Sequence, residues 1–325
     1  MKHILITGGA GYIGSHICER FYREGYIPVT FDNLFKGNKW SVKWGPLEIG
    51  DLRNKRSLQE LFSKYSFIGV IHLAALSNVE ESNKEPGSYY ENNLLGTLNL
   101  LEIMLENKVY KLVFSSTAAV YGKPKYTPID ENHPTDPINC YGDTKIAVEK
   151  LIYNFSNSSD LNFISLRYFN VSGSNYKKNI GEAHYPETHI IPLALQAALK
   201  NNYFNINGNN YQTPDGTCIR DYIHVNDLCD AHLLSFKKLY SSNIKEFINI
   251  GAGRGFSVLE IIKSVKKITG YQILTKIVKK RLGDPDILVS KIEKSNKFLS
   301  WKPKVSDINT IILDSWEWCK INKLF

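Results

Sequence analysis

Four glycines near the amino terminus constrain the fold of this chain more than any other feature. They lie at positions 8, 9, 11 and 14, directly after a short apolar run and directly before a helical pattern. Gly8 and Gly9 suit a tight turn. Gly11 would let a phosphate approach the backbone, and Gly14 would let helix and strand pack closely. Because the amides and dipole of a helix N-terminus attract phosphates, the stretch predicts a dinucleotide-binding turn.

The first half of the chain alternates short apolar segments with helical patterns. Candidate strands without clean polar alternation cover 3–7, 28–32, 47–51, 69–74, 111–116 and 162–169. Parallel strands that are buried on both faces have this character. Ser57, with Glu60 three residues later, predicts a capping box, and the leucines of 88–107 recur at helical spacing. The pattern predicts an α/β fold with a Rossmann-type doubly wound parallel sheet.

The amino-acid composition of the chain changes after Asn170. Asn, Gly, Pro and Tyr become frequent, and the strand–helix rhythm returns only for one helix and one strand within 223–252. We therefore predict a nucleotide-binding Rossmann domain made of 1–171 with 223–252. A smaller mixed α/β domain, made of 172–222 with 253–325, would bind the substrate.

Composition narrows the kinds of partner. The 325 residues carry a formal charge of +8, but the basic residues form no run of five or more, so no nucleic-acid partner is predicted. No segment is apolar for long enough to span a membrane, and the first apolar run is too short for a signal peptide, so a cytoplasmic protein is expected. The five cysteines are widely separated, which predicts reduced thiols and no metal site.

Acidic residues follow two of the candidate strands. Asp32 ends the second strand, where a carboxylate accepts hydrogen bonds from the adenosine ribose and repels a 2′-phosphate, so NAD is favoured over NADP. Asp51, after the third strand, is placed to reach the adenine amino group. Each residue also fits an ordinary turn aspartate.

Tyr141 and Lys145 share one face of a predicted helix because they are four residues apart. A free tyrosine titrates at about 10. A neighbouring ammonium and a positive nicotinamide ring would lower the pKa of Tyr141, which makes it a candidate general base for a hydroxyl proton. Ser115, Ser116 and Thr117 end the fifth strand, where one hydroxyl would hold the reacting oxygen of the substrate.

Two arginines, Arg220 and Arg281, suit a diphosphate because a guanidinium binds two oxygens at once, although each also fits a surface position. With these residues the chain resembles the extended short-chain dehydrogenases/reductases and, closely, the UDP-glucose (UDP-galactose) 4-epimerases. The matching blocks are GGAGYIGSH, FDNL, GDLR, HLAALSNVEES, YYENNLLGT, FSSTAAVYG, YGDTK, LRYFN, PETHIIPL, TPDGTCIRDYIHV and RLGDP. They span almost the whole chain, and the last three are typical of sugar-nucleotide epimerases.

The resemblance implies site residues, position by position. The catalytic set would be Thr117, Tyr141 and Lys145. The residues around NAD would be Gly8, Gly11, Tyr12, Ile13, Gly14, Asp32, Asn33, Asp51, Leu52, Ala74, Asn93, Ser115, Tyr141, Lys145 and Tyr168. The residues around the UDP-sugar would be Thr117, Tyr141, Asn170, His189, Ile190, Arg220, Arg281, Asp284 and Leu288. The arginines would bind the diphosphate, Asp284 would lie near the uridine ribose, and the protein would be a homodimer.

The activity implied by the resemblance is reversible inversion at C4 of a UDP-hexose, through a 4-keto sugar and with NAD that stays bound. Leu288 is smaller than the aromatic residues that limit space near the sugar 2-substituent, which suggests that N-acetylated UDP-hexoses are also accepted. A dehydratase would need an Asp-Glu pair after Thr117, where this chain has Ala118 and Ala119. A 4-epimerase of UDP-glucuronate or of a UDP-pentose stays open, as does, more remotely, a non-catalytic NAD-sensing protein.

Overall fold

Short apolar strands and amphipathic helices build the protein as the sequence predicts. The structure is a computed structural model and describes residues 2–241, 243–281 and 284–322. The strands, numbered along the chain, are β1 (His3–Thr7), β2 (Ile27–Asp32), β3 (Leu47–Ile49), β4 (Phe67–His72), β5 (Lys111–Thr117), β6 (Asn162–Tyr168), β7 (Asn170–Ser172), β8 (Tyr203–Asn207), β9 (Ile219–His224), β10 (Lys245–Ile250), β11 (Gly255–Ser257), β12 (Leu274–Val278) and β13 (Ile287–Leu288). The α-helices are α1 (Tyr12–Arg23), α2 (Lys55–Lys64), α3 (Val79–Lys84), α4 (Pro86–Tyr89), α5 (Gly96–Glu106), α6 (Cys140–Asn157), α7 (Ile190–Lys200), α8 (Val225–Lys238), α9 (Val258–Thr269), α10 (Glu293–Leu299) and α11 (Ile308–Asn322).

The central sheet has seven strands in the order β10-β6-β5-β4-β1-β2-β3. The neighbouring pairs among β1 to β6 are all parallel. This order confirms the predicted Rossmann-type doubly wound sheet and adds β10 at one edge. The chain proceeds from β1 in one direction to β3 and in the other direction to β6. The carboxyl ends of β1 and β4 therefore form the topological switch point, where such folds bind ligands.

The chain divides into two compact units. The first contains the chain up to Gly122, Pro134–Tyr168 and Cys229–Ile248, and the second contains Lys123–His133, Phe169–Leu228 and the chain from Asn249. In the first unit, helices α2, α5 and α6 share one apolar core with the sheet, to which Leu58, Leu100 and Val148 contribute fully buried side chains.

The largest difference between this division and the predicted domains is one internal segment, and the other bounds differ by three to six residues. The prediction assigned all of 1–171 to the Rossmann domain, whereas Lys123–His133 belongs to the second unit. The reason is long-range pairing, because Ile129 bridges to Ser290 and its amide donates to the carbonyl of Val289 at 2.8 Å. This pairing joins positions about 160 residues apart and leaves no local signal in the sequence.

The second unit has its own core and smaller sheets. Strand β9 pairs with β11, β13 and β7, and β8 pairs with β12. Helices α7, α9 and α11 bury Leu195, Ile261 and Ile311 in a shared apolar cluster. Among the described residues, the helices are all too short or too polar to cross a membrane.

Two local predictions about helices differ from the structure. Helix α2 begins at Lys55 and is capped by Asn54, whose Oδ1 accepts hydrogen bonds from the amides of Arg56 and Ser57 at 3.1 and 3.3 Å. The predicted cap at Ser57 is therefore wrong, since an earlier side chain already satisfies the first-turn amides. The predicted helix over 88–107 is interrupted by a π-helical segment, Tyr90–Leu95, between α4 and α5.

Candidate functional site

The glycine turn after β1 is shaped by close backbone approaches. Gly8 has a positive φ of 71°, and a Cβ there would lie 2.8 Å from the amide nitrogen of Ala74. A Cβ at Gly14 would lie 2.1 Å from the carbonyl oxygen of Gly8, and one at Gly9 would lie 2.6 Å from Thr30 Oγ1. The packing of the protein itself thus demands glycine at 8, 9 and 14.

Gly11 is different from its three neighbours in the turn. A Cβ at Gly11 would meet only the carbonyl oxygen of Gly8, at 3.3 Å, so the contacts of the chain do not by themselves require glycine there. Gly11 is the N-cap residue of α1 and has no side chain to bind the first-turn amides, which include those of Tyr12 and Ile13. This turn has the space and the amide donors that a pyrophosphate needs.

The carboxylates of Asp32 and Asp51 are both held in place by hydrogen bonds. Asp32 is buried at the end of β2, and its two oxygens accept the amides of Ala10 and Leu34 at 3.1 and 2.8 Å. Burial raises the pKa of Asp32, and these two hydrogen bonds oppose that rise. Each oxygen retains a second lone pair that a ribose hydroxyl can use.

Asp51 has a partner that the sequence analysis did not identify. Arg53 donates from Nε and a terminal nitrogen to the two oxygens of Asp51 at 3.0 and 2.8 Å, and Asn33 Nδ2 donates at 3.0 Å. These contacts, chiefly that of Arg53, hold the pKa of Asp51 well below its usual range. Leu52 is buried beside it, and its carbonyl accepts from Asn99 Nδ2 at 2.9 Å.

A buried polar chain supports the loop after β4. Thr7 Oγ1 lies 2.7 Å from His72 Nδ1, and His72 Nε2 lies 2.8 Å from Thr97 Oγ1. The Thr7 hydroxyl also accepts the amide of Ala74 at 3.3 Å. Burial lowers the pKa of His72 to about 3, so the imidazole is neutral at physiological pH. The network therefore fixes the backbone opposite the glycine turn without adding charge.

Asn93 lies in the π-helical segment, and its side-chain amide makes four hydrogen bonds within the protein. Nδ2 donates to the carbonyl of Leu76 and to Thr144 Oγ1, both at 3.0 Å. Oδ1 accepts the Leu76 amide at 2.8 Å and Asn92 Nδ2 at 3.0 Å. Two donated and two accepted bonds saturate an asparagine side chain. We infer that Asn93 positions the loop after β4 against α6, as π-helical insertions often do near functional sites.

Thr117 and Tyr141 meet where β5 ends and α6 begins. Thr117 is the last residue of β5, and Tyr141 lies in the first turn of α6, whose N-cap Asn139 accepts the amide of Gly142 at 2.9 Å. A Cβ at Gly142 would lie 2.8 Å from the carbonyl oxygen of Ala119, so glycine allows this close approach. The Thr117 hydroxyl lies close enough to the Tyr141 phenol to lower its pKa, and it accepts the amide of Ala119 at 3.1 Å.

The pKa of Tyr141 departs from the expectation. Burial raises it to about 12, and the Thr117 hydroxyl opposes the rise. The predicted lowering by Lys145 is therefore not provided by the side chains of the protein. The physical reason is that desolvation of a phenolate outweighs a cation that lies 5.9 Å from the ring centre.

Lys145 is buried one helical turn after Tyr141. Its Nζ donates to the carbonyl of Ser115 at 2.7 Å and lies 4.8 Å from the ring centre of Phe114. Burial lowers the pKa of Lys145 to about 7, while the carboxylate of Glu149 raises it. The hydroxyls of Ser115 and Tyr168 are hydrogen-bonded to each other on the adjacent strands β5 and β6.

Glu149 and Arg167 form a buried ion pair beneath this site that the sequence analysis missed. Arg167 Nε and a terminal nitrogen lie 3.0 and 2.7 Å from the Glu149 oxygens, and Ser116 Oγ donates to the same carboxylate at 2.6 Å. Tyr121 accepts a further Arg167 hydrogen bond at 3.1 Å. The signal for Glu149 was its four-residue spacing from Lys145 on one helix face.

In the second unit, the predicted UDP residues Arg220 and Asp284 lie together. Arg220 is buried on β9, and one terminal nitrogen lies 2.5 Å from Asp284 Oδ1 and 2.6 Å from the carbonyl of Pro285. Tyr211, which the sequence analysis missed, donates to Asp284 Oδ2 at 2.8 Å. Burial acts to lower the pKa of Arg220, but the carboxylate of Asp284 outweighs it and the pKa is raised.

Neighbouring strands place two more predicted residues near Arg220. Leu288 on β13 lies in register with Arg220, and Asn170 on β7 lies in register with Tyr222, two residues farther along β9. Arg281 is exposed, and Leu282 and Gly283 of the RLGDP block lie outside the described residues.

His189 and Ile190 lie at the start of α7, with His189 as its N-cap residue. The Nδ1 of His189 is hydrogen-bonded to Glu182 Oε1. The Glu182 carboxylate raises the pKa of His189 to about 9, although burial and the charge of Arg281 act to lower it. The imidazole that the resemblance assigns to UDP is thus engaged with carboxylates in this structure.

Comparisons with known proteins agree with this geometry over nearly the whole chain. The family model described as "NAD dependent epimerase/dehydratase family" matches residues 4–251. A UDP-glucose 4-epimerase of Halalkalibacterium halodurans is 45% identical over 98% of this chain and 95% of its own length. The crystal structure of UDP-glucose 4-epimerase from Brucella ovis in complex with NAD is similar with a TM-score of 0.94 and 39% identity, covering 98% of this chain and 99% of that one. That of Bifidobacterium longum, in complex with NAD+ and UDP, has a TM-score of 0.94 and 32% identity, with 99% of both chains covered.

Proposed function

Since this chain belongs to the NAD dependent epimerase/dehydratase family, we propose that it is an NAD-dependent isomerase that interconverts UDP-glucose and UDP-galactose by inverting C4. The observation that carries this function is the contact of Thr117 with Tyr141 one helical turn from the buried Lys145. Similarity to UDP-glucose 4-epimerases over nearly the whole chain supports this function over those of other members of the family.

The residues present fit NAD. The turn at Gly11 offers first-turn amides and a backbone without a side chain for the pyrophosphate, and the Asp32 carboxylate would accept the adenosine ribose hydroxyls. Asp51, kept ionised by Arg53, would accept the adenine amino group. When bound, NAD supplies the oxidising and reducing power at C4 of the sugar and is restored in each turnover.

Tyr141 moves the proton in this proposal. Its phenol oxygen would take the proton of the sugar 4-hydroxyl as C4 becomes a ketone, and would return it after the sugar presents its other face. Thr117 would orient the reacting oxygen. Because burial keeps the pKa of Tyr141 at about 12, the phenolate needs the positive charge of the nicotinamide ring in addition to Lys145.

Binding at the far end of the substrate would hold the 4-keto sugar while it rotates. Arg220 is buried and oriented by Asp284, Pro285 and Ile219, and its two remaining N–H groups would bind phosphate oxygens. Arg281 would bind the same diphosphate, Asp284 would reach the uridine ribose, and Asn170 and Ile190 would complete the subsite. Interactions with the unreactive UDP part lower the barrier only if they persist in the transition state.

A substrate panel tests the function. Purified protein is incubated separately with UDP-galactose, UDP-glucose, UDP-N-acetylglucosamine, UDP-N-acetylgalactosamine, UDP-glucuronate and a UDP-pentose, and the C4 epimers are separated. We expect UDP-glucose from UDP-galactose without added NAD. No conversion of UDP-galactose, even with NAD supplied, contradicts the proposal and leaves the NAD-sensing alternative. Turnover confined to UDP-glucuronate or a UDP-pentose would favour the second candidate.

Leu288 supports a broader choice of sugar. It lies in register with Arg220 on a neighbouring strand, and leucine occupies less volume than an aromatic side chain. In the same panel we expect UDP-N-acetylglucosamine to turn over at a rate similar to that of UDP-glucose, and Leu288→Tyr to remove only the N-acetyl activity. A complete lack of turnover with N-acetylated sugars contradicts this part of the proposal.

A cytoplasmic homodimer also belongs to the proposal. Leu95, in the π-helical segment before α5, and Tyr153 on α6 are large side chains left 43% and 45% exposed. Helices α5 and α6 would contribute to a two-fold interface, for which sedimentation of the purified protein is the direct measurement.

A further inference from the structure

Four side chains of metal-binding type lie together in the loop that precedes α7. They are Glu182, His184, Glu187 and His189, all within eight consecutive residues. One nitrogen or carboxylate oxygen from each lies within 4.8 Å of the others. The proposed proton transfer does not use this cluster, although the resemblance places His189 near UDP.

Two separations between donor atoms are close to those of a tetrahedral site, whereas His189 Nδ1 and Glu182 Oε1, which are in hydrogen-bond contact, would move apart around an ion. Metal–donor bonds of about 2.0 to 2.1 Å place neighbouring tetrahedral donors about 3.4 Å apart. His184 Nδ1 lies 3.2 Å from Glu182 Oε1, and His189 Nδ1 lies 3.5 Å from Glu187 Oε1. The two imidazole rings are 5.3 Å apart and inclined at 64°, so they approach the same space from different directions.

The surrounding protein orients these ligands. Trp318 Nε1 on α11 donates to the carbonyl of Glu182 at 2.8 Å, which fixes the first residue of the cluster. The amides of Thr188 and His189 donate to Glu187 Oε1 at 2.7 and 2.8 Å, which fixes that carboxylate. Contacts of this kind outside the metal are what orient ligands in known metal sites.

Charge balance favours a divalent cation. With neutral imidazoles, the two carboxylates give the cluster a charge of −2, and Glu182 is buried. Buried carboxylates that face each other need a compensating cation. The hydrogen bond between His189 Nδ1 and Glu182 Oε1 provides this compensation through a proton, and a metal ion would displace that proton.

We propose that Glu182, His184, Glu187 and His189 bind one divalent transition-metal ion, with Zn²⁺ the best match. Two imidazole nitrogens and two carboxylates in a tetrahedral arrangement suit Zn²⁺, whereas Mg²⁺ and Ca²⁺ require more oxygen ligands. The ion is structural: it holds the loop against the start of α7, and it takes the imidazole of His189 from the UDP subsite. The cysteines are not needed, which is why their spacing did not indicate the site.

Direct metal titration tests the proposal. The full chain is treated with EDTA, dialysed and titrated with ZnCl2 by calorimetry, with MgCl2 as the comparison cation. We expect one Zn²⁺ per chain, no competition from Mg²⁺ and a higher Tm in the presence of Zn²⁺. Co²⁺ in place of Zn²⁺ should give the intense visible absorption of a tetrahedral site.

A double variant with a matched control identifies the ligands. Glu182→Gln with His184→Asn should weaken Zn²⁺ binding at least about tenfold. His3→Asn with Glu80→Gln makes the same two chemical changes in the first unit and should leave Zn²⁺ binding unchanged. Equal Zn²⁺ binding by all three proteins, or none by the unaltered chain, overturns the proposal. If circular dichroism shows that the double variant is unfolded, the Co²⁺ spectrum of the unaltered chain decides, and a weak octahedral spectrum counts against the site.

Discussion

Burial affects charge differently around Tyr141 and Lys145 in the first unit and around Arg220 and Asp284 in the second unit. Around Tyr141, burial dominates: it raises the pKa of Tyr141 to about 12 and lowers that of Lys145 to about 7. Around Arg220, the Asp284 carboxylate outweighs burial and raises the arginine pKa. The first cluster favours neutral side chains, whereas the second contains a compensated ion pair.

This difference suits proton transfer in the first cluster and anion recognition in the second. Groups whose charges are destabilised by burial change protonation readily when a charged ligand arrives, which suits proton transfer. A guanidinium that is already paired and oriented keeps its charge and its direction, which suits recognition of an anion. Substitution of Tyr141 should therefore mainly affect kcat, whereas substitution of Arg220 should mainly affect binding.

Removing the Tyr141 hydroxyl should produce the largest effect. Tyr141→Phe deletes the proton acceptor, so we expect kcat for UDP-galactose to fall about 10³-fold while the Kd for UDP stays within about twofold. Steady-state kinetics and calorimetry measure the two quantities. Tyr22→Phe, at an exposed tyrosine of helix α1, is the matched control and should keep full activity. A variant at Tyr141 with more than a tenth of the original kcat would show that another group carries the proton.

Removing the Arg220 charge should act mainly on binding. Arg220→Gln loses charged hydrogen bonds to phosphate, so we expect the Kd for UDP and the KM for UDP-galactose to rise about 100-fold. NAD content should be unchanged, because the variant leaves the first unit intact. Arg254→Gln, at an exposed arginine of the second unit, is the control. A large loss of kcat with unaltered UDP affinity would remove the distinction between the two clusters.

The pH dependence of stability should show the smallest effect. Lys145 has a pKa of about 7 in the folded protein and about 10.4 when unfolded, so between these values the unfolded chain binds more protons. Stability from this residue therefore increases as pH rises from 7 towards 10, with a limiting slope of about 1.4 kcal/mol per pH unit.

Urea unfolding of protein freed of nucleotide measures this dependence. The free energy of unfolding of the unaltered chain should rise relative to that of Lys145→Met over about two pH units, from about 7.5 to about 9.5. Lys150→Met, at an exposed lysine of the same helix, should give a constant difference. A constant difference for Lys145→Met as well would mean that the buried ammonium is solvated or paired in solution.

The parts of the site that were predictable depend on local backbone chemistry. Glycine at 8 and 14 and the four-residue spacing of Tyr141 and Lys145 follow from steric and helical rules that act over a few residues. The capping prediction at Ser57 failed for the same reason, since Asn54 offered an equally local and earlier cap. Residues near in sequence determine such features. A prediction fails where two nearby residues can play the same role.

The parts that were missed depend on burial and on the direction that each side chain takes in the folded protein. Asn93 was predicted as a residue near NAD, but its hydrogen bonds to Leu76, Asn92 and Thr144 were not, and neither was the rise in the pKa of Tyr141 that burial causes. The Arg53 fork on Asp51 and the Arg167 pair with Glu149 needed coordinates to be seen. Glu182, His184, Glu187 and His189 lie in one short segment, but only the folded loop brings their nitrogen and carboxylate oxygen atoms together.

By itself, the sequence determined the parallel α/β sheet, the glycine turn at the switch point and the shared helix face of Tyr141 and Lys145. These features depend on steric fit and helical spacing, which residues close in sequence determine. Only the tertiary structure decided that Lys123–His133 joins the second unit, that burial keeps Tyr141 protonated and that Asp284 holds Arg220. Solvation and charge pairing depend on which distant groups surround a side chain, and that is a property of the folded chain.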